Sequence, residues 1–157
     1  MSLVYYIASE KELPTGSFGT NYTLVDHRIV FETELDAAGI YITGPATNAK
    51  RFPHFRLPYV YQLSPEGGCF NYNPLLLSKS PEAYSVYYKC AQELFAYLKR
   101  NLMPGGEMEM YAGWDDGMGS LEEPQDQSLN GVLDLSDFEL GEQFSWIEKQ
   151  YILVKKS

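Results

Sequence analysis

Between Arg100 and Lys149 the sequence contains no Lys, Arg or His. Residues 1–100 hold nine Lys or Arg and nine Asp or Glu, whereas residues 101–157 hold three and twelve, so the whole net charge of −9 arises in the last third. A surface of one sign repels nucleic acids and anionic membranes and favours cations or basic protein surfaces. We therefore predict neither a nucleic-acid partner nor a membrane partner.

Cysteines and long apolar runs are also scarce. The only cysteines, Cys69 and Cys90, stand in no metal-binding or redox spacing, which predicts two reduced thiols in a cytoplasmic protein. No apolar run approaches the ~20 residues that a membrane-spanning helix needs. The N-terminus lacks a charged segment followed by a long apolar core, so no secretory signal is predicted. Residues 1–3 are compatible with a cloning scar.

Familiar catalytic and cofactor motifs are missing too. No P-loop occurs, and residues 117–119 lack the third glycine of a dinucleotide fingerprint. An EF-hand loop starting at Asp115 would place Ser120 where glycine is required. Cys69 is predicted to start a strand, whereas an activated thiolate usually lies at a helix N-terminus or beside a cation. We predict no metal, no cofactor and no catalytic residue.

One amphipathic helix is predicted from Pro81 to Leu102. Ser80 offers an N-cap hydroxyl, Pro81 suits the first helical position, and residues 104–106 (Pro-Gly-Gly) end the helix. Spacings of three and four residues predict a buried stripe of Tyr84, Tyr87, Tyr88, Ala91, Leu94, Phe95 and Leu98.

The rest of the chain is typical of short strands. Segments rich in β-branched and aromatic residues predict strands near Val4–Ala8, Arg28–Thr33, Ile40–Thr43, Tyr59–Leu63, Cys69–Tyr72, Glu107–Tyr111, Val132–Leu135 and Phe144–Val154. The turn Ser64–Gly68 is predicted to join two of them as a hairpin. We expect a single α+β domain over residues 1–157, with an antiparallel-dominated sheet of about five to seven strands and the helix packed on one face.

Two features of the strands and loops bear on function. In Glu107–Ala112, methionine and alanine alternate with glutamate and tyrosine, which predicts a strand with one buried face. Residues 46–58 and 113–130 are predicted loops, and the second is long and acidic. A connection of that length in a compact domain is usually functional, mobile or wrongly assigned.

The leading functional hypothesis is a protein-binding module. The acidic segment 107–142 would present carboxylates to a basic surface of another protein, with Trp114 as the aromatic anchor. The predicted contact residues are Trp114, Asp115, Asp116, Glu122, Glu123 and Asp126. An inhibitor of the immunity type and a regulatory adaptor both fit this description.

Two other classes stay open. Tyrosine is the commonest aromatic residue, with 13 copies against 8 Phe and 2 Trp, and tyrosines often line polar-rimmed pockets. A small-molecule-binding domain or enzyme would receive an anionic group at Arg51, His54 or Arg56. A structural homo-oligomer would instead join the basic residues 50–56 to the acidic loop of a second copy. The same basic residues are also suited to pair with the acidic third of their own chain.

Overall fold

The backbone forms a seven-stranded sheet and a separate two-stranded hairpin. The computed structural model describes residues 2–46, 54–115 and 129–157. Its elements are β1 (Ser2–Ser9), β2 (Gly16–Phe18), β3 (Thr23–Val25), β4 (Arg28–Val30), α1 (Glu34–Ala37), β5 (Gly39–Thr43), β6 (Tyr59–Glu66), α2 (Pro74–Lys79), α3 (Pro81–Asn101), β7 (Glu107–Asp115), β8 (Gly131–Asp134) and β9 (Tyr151–Lys155). The large sheet has the order β2-β5-β6-β1-β7-β9-β8, and β3 pairs with β4.

The pairing confirms the predicted class. All neighbouring strands of the large sheet are antiparallel except β8 and β9, which are parallel. The single long helix among the described residues, α3, packs against one face of this sheet, which we call the first face. The α+β fold with one domain, a mostly antiparallel sheet and one long helix is therefore as expected.

Helix α3 begins as its sequence predicts. The Ser80 hydroxyl accepts a hydrogen bond from the backbone N–H of Ala83 at 3.3 Å, and Pro81 occupies the first turn, where its missing N–H costs nothing. Lys99 and Arg100 lie in the last turn, where positive charge complements the helix dipole. The helix ends at Asn101, one residue earlier than predicted.

The buried stripe of α3 differs from the prediction. Its buried residues are Val86, Cys90, Ala91, Leu94, Phe95, Tyr97 and Leu98. Tyr84, Tyr87 and Tyr88 are only half-buried, although Tyr87 packs against the core cluster as the stripe predicts. The hydroxyl of Tyr84 donates to the backbone oxygen of Glu142 at 2.8 Å. A phenol with a polar partner at the edge of the core keeps its ring packed and its hydroxyl satisfied.

Several strand predictions were wrong. Cys69–Tyr72 is not a strand, and only Tyr72 forms an isolated bridge, to Phe144. The hairpin at Ser64–Gly68 does not form, because β6 continues to Glu66 and pairs with β5. Short apolar runs beside turn residues do not by themselves distinguish a strand from an irregular segment.

Other predicted strand and loop boundaries also differ from those in the structure. The strand predicted over 144–154 begins only at Tyr151, and β4 ends at Val30 rather than Thr33. The predicted acidic loop begins too early, because β7 runs through Gly113 to Asp115, and residues 116–128 lie outside the described residues. The elements that the sequence analysis missed are β2, β3, α1 and α2.

The second face of the sheet, opposite α3, is covered as well. Tyr6, Ala8, Val60 and Tyr111 form a second buried cluster, against which Phe55 and Leu57 pack. The expectation that β7 has one buried face was therefore wrong, since Glu109 and Tyr111 are both 0% exposed.

The two thiols differ in their surroundings. Cys90 is buried on α3 and its Sγ lies 3.3 Å from the backbone oxygen of Glu66, whereas Cys69 is half-buried in the loop after β6. Burial raises the pKa of the Cys90 thiol to about 11, which leaves almost no thiolate at neutral pH.

In the folded protein we expect iodoacetamide to modify Cys69 only, and in concentrated urea both thiols, as counted by intact mass. Modification of both thiols at equal rates in the folded protein would contradict the buried position of Cys90.

Candidate protein-binding surface

The two described residues of the predicted anion site, Arg56 and His54, already make contacts within the chain. Nη2 of Arg56 lies 3.1 Å from the Glu107 carboxylate, and its Nε lies 4.0 Å from the Glu109 carboxylate. The ring of His54 stacks on Tyr111 with centroids 4.4 Å apart. Arg51, the third predicted residue, lies outside the described residues.

Glu109 is the centre of this network. Its Oε1 accepts the backbone N–H groups of Arg56 and Leu57 at 2.9 and 2.8 Å. Its Oε2 accepts the hydroxyl of Tyr151 at 2.5 Å. Three donors and a nearby guanidinium compensate for removing this carboxylate from water. The contacts hold residues 56–57 on the second face of the sheet.

The electrostatic consequences follow from these contacts. The hydrogen bond that Arg56 donates to Glu107, followed by the charge of Glu109, raises the pKa of Arg56 above its ordinary value. Burial, with a further contribution from the Glu109 hydrogen bond, raises the pKa of Tyr151. Arg56 therefore stays cationic and Tyr151 stays a donor at neutral pH. The geometry matches the intramolecular pairing of the basic segment with the acidic third.

Replacing Tyr151 with Phe tests this network. The variant removes one donor from a buried carboxylate, so we expect the free energy of unfolding to fall by about 1.5–3 kcal/mol. Tyr41→Phe is the matched control, because Tyr41 is 43% exposed, and its effect should stay within about 0.5 kcal/mol. Equilibrium urea unfolding measures both variants. Equal stability of the two variants would show that the Glu109 network contributes little.

The predicted acidic surface is described only at its start. Trp114 lies in β7 opposite Leu3, is 37% exposed and donates its indole N–H to the carboxylate of Glu148. Asp115 is the last residue of β7 and lies opposite Ser2. The other predicted contact residues, Asp116, Glu122, Glu123 and Asp126, lie outside the described residues.

A surface that the sequence analysis did not single out is the hairpin of β3 and β4. Thr23, Leu24 and Val25 pair with Val30, Ile29 and Arg28. The two residues between the strands, Asp26 and His27, have φ angles of 52° and 64°. Positive φ at both central residues is the requirement of a type I′ turn, whose twist matches that of the paired strands.

Apolar side chains of this hairpin are exposed on both faces. Every residue from Asn21 to Leu35 is exposed. Leu24 and Ile29 lie opposite each other and are 67% and 62% exposed. The remaining large apolar side chains that are exposed here are Tyr22, Val25, Val30, Phe31 and Leu35. We call residues 22–31 the apolar hairpin.

The base of the apolar hairpin is fixed to the body. The backbone N–H of Asn21 donates to the carbonyl of Asp36 at 2.8 Å, which closes the neck. The Thr33 hydroxyl caps α1 by accepting from the N–H of Asp36 at 3.1 Å. Nζ of Lys89, on α3, donates to the carbonyl of Leu35 at 2.5 Å. The hairpin thus projects from an anchored base.

Acidic side chains border this base. Residues 20–38 contain four acids and one cation, and the cation, Arg28, lies beside the turn. Glu32 and Glu34 follow the hairpin directly, and both are exposed. The surface therefore combines an apolar projection with a negatively charged foot.

We found no match for this chain among protein-family models, curated proteins or solved structures. Within residues 2–46, 54–115 and 129–157, no helix has the length and apolar character needed to cross a membrane. The same ranges contain no group of three or more His, Cys, Asp or Glu side chains arranged to hold a metal ion.

One sequence signal pointed to the apolar hairpin. Leu24-Val25 and Ile29-Val30 flank a pair of residues that tolerate positive φ, which is the pattern of a two-residue hairpin. Burial of Glu109 had no comparable signal, because its donors come from residues 56, 57 and 151, distant in sequence.

Proposed function

We propose that this protein is a protein-binding module, and that the apolar hairpin is its principal contact element. The observation that carries the proposal is the exposure of large apolar side chains on both faces of an anchored two-stranded hairpin. An inhibitor of the immunity type and a regulatory adaptor are the two roles of this kind that suit a small acidic domain.

Physical reasons favour a partner for the hairpin. A two-stranded hairpin is marginally stable in water by itself, because it has no third strand or helix to bury its side chains. Contiguous exposed apolar surface on a folded protein typically marks a contact with another macromolecule. Leu24 and Ile29 supply the most exposed pair, so they are the proposed anchors of the contact.

Charge defines the chemistry of the proposed partner. The hairpin foot carries Glu32 and Glu34, and the chain has a net charge of −9. The complementary surface is an apolar groove bordered by Lys or Arg. Complementary charge accelerates encounter and selects the partner, whereas the apolar contact supplies most of the affinity. In this proposal the predicted segment from Trp114 to Asp126 adds to the attraction of a basic partner.

The contacts of the basic segment make the other two hypotheses less well supported. An anionic ligand at Arg56 would compete with Glu107 and Glu109, which already hold the guanidinium. A homo-oligomer contact through Arg56 would meet the same competition. At Arg56, both hypotheses would require the intramolecular pairs to break.

The test of the apolar hairpin is a pair of double variants. Leu24→Thr with Ile29→Thr removes apolar surface but keeps β-branched residues that suit a strand. Tyr41→Thr with Val132→Thr is the control, since these side chains are exposed on strands of the large sheet. We expect the hairpin variant to bind a partner captured from native extract at least about tenfold more weakly, and the control to bind like the wild type.

Capture at two salt concentrations and light scattering complete this test. Capture is repeated at low salt and well above ~0.15 M salt, where exposed charges are screened. A basic partner that is retained by the control and lost by the hairpin variant supports the proposal. Equal retention by both variants overturns the role of the hairpin. Light scattering that shows a dimer of the wild type alone would identify a second copy, rather than another protein, as the occupant.

The role of the acidic segment in partner binding is tested with a separate variant. Neutralising Asp115, Asp116, Glu122 and Glu123 should weaken capture at low salt and have little effect at high salt, because screening already removes that attraction. Loss of capture to the same degree at both salt concentrations would contradict a long-range electrostatic role.

A further inference from the structure

Two clefts share Tyr87 of α3 in their walls. The smaller has a volume of about 380 Å³ and is lined by Glu34, Ala37, Gly67, Ala83, Val86 and Tyr87. The larger has a volume of about 590 Å³ and lies between residues 71–76 and residues 138–145, with Tyr87 of α3 in its wall. The two clefts therefore adjoin each other along α3.

Aromatic and amide groups dominate the larger cleft. Tyr72, Tyr87, Phe138 and Phe144 supply rings, and Asn71, Asn73 and Gln143 supply amides. The backbone bridge between Tyr72 and Phe144, with N–H to oxygen distances of 3.0 and 3.1 Å, fixes one wall. Burial raises the pKa of Tyr72 to about 12, and its hydroxyl donates to the carbonyl of Gly141 at 3.0 Å. Tyr72 is therefore a neutral part of the wall at physiological pH.

Each cleft has one carboxylate and no cation. Glu34 lines the smaller cleft and Glu139 the larger, whereas no Lys, Arg or His is among the described residues that line either cleft. Lys89 and Lys99 lie nearby, where their ammonium groups donate to the backbone carbonyls of Leu35 and Phe138. The charged side chains in the cleft walls are thus acidic only.

We propose that the two clefts together bind an extended basic segment of the partner, with one cationic side chain at Glu34 and another at Glu139. This inference rests on the proposed function, because the smaller cleft begins at the foot of the apolar hairpin. A guanidinium ion is attracted both to a carboxylate and to the face of a tyrosine or phenylalanine ring. The apolar parts of the walls receive the intervening side chains.

Matched charge variants make the proposal testable. Glu34→Gln with Glu139→Gln removes the two cleft carboxylates. Glu10→Gln with Glu12→Gln is the control, because both side chains are exposed and neither lines the clefts. Both double variants have the same net charge, so any difference between them reports position rather than total charge.

The probe is a capped heptapeptide of alternating leucine and arginine, compared with the same peptide carrying neutral citrulline in place of arginine. NMR titration of the full-length protein should show amide shifts at Tyr87, Gln143 and Phe144 with the arginine peptide. We expect the cleft variant to bind it about tenfold more weakly and the control variant to bind it like the wild type. The citrulline peptide should bind about as weakly to the wild type as the arginine peptide binds to the cleft variant.

Four results of the peptide experiments would overturn the inference. These are equal weakening in both double variants, equal binding of the arginine and citrulline peptides, shifts confined to other parts of the chain, and no shifts at millimolar peptide. Circular dichroism of each variant confirms that the fold is retained. A wild-type dimer that becomes a monomer in the cleft variant would assign the clefts to a second copy and would also overturn the inference.

The hairpin variant separates this inference from the proposed function. Leu24→Thr with Ile29→Thr leaves the cleft walls unchanged, so it should bind the arginine peptide normally while losing the partner. If the wild type does not bind the arginine peptide but the hairpin variant still loses the partner, only the inference about the clefts is rejected. Retention of the partner by the hairpin variant, with loss in the cleft variant, would instead reject the hairpin.

Discussion

The carboxylate of Glu109 is the interaction on which the second face of the sheet depends. It sits on β7, near the middle of the sheet order, and accepts bonds from residues 56, 57 and 151. A buried carboxylate without donors would be strongly unfavourable, so it is satisfied only when the segment before β6 lies across the sheet. Phe55 and Leu57 are thereby brought onto the apolar cluster of this face. With α3 on the other side, the central strands are buried on both faces.

The apolar hairpin contrasts with this double coverage of the main sheet. The main sheet buries its central residues between α3 and residues 54–57, whereas β3 and β4 leave Leu24, Ile29 and their neighbours in solvent. The same chain that satisfies a buried glutamate with three donors also exposes large apolar residues beside an anchored neck. Because folding gains nothing from such exposure, this surface is the main support for the proposed binding role.

Local signals predicted much of the fold. The cap at Ser80, the proline after it and the apolar periodicity indicate α3 correctly, and period-two patterns identify most central strands. The rotation of α3 and the burial of Glu109 depend on contacts between distant segments, which a residue pattern does not encode. Among the predicted site residues, His54 stacks on Tyr111, whereas Arg56 pairs with Glu107 and Glu109 while its side chain stays 64% exposed.

In the proposed interaction, the acidic third and the hairpin foot contribute negative charge in different ways. Arg56 neutralises part of the acidic third from within, so net charge overstates how much negative surface a partner meets near β7. At the hairpin foot, Glu32 and Glu34 are exposed, and Glu34 lines a cleft whose described walls hold no cation, although Lys89 of α3 lies nearby. Negative charge placed beside exposed apolar surface confers selectivity, because a partner must offer both cations and an apolar groove. The hairpin foot, more than the acidic third as a whole, therefore sets the specificity of the proposed interaction.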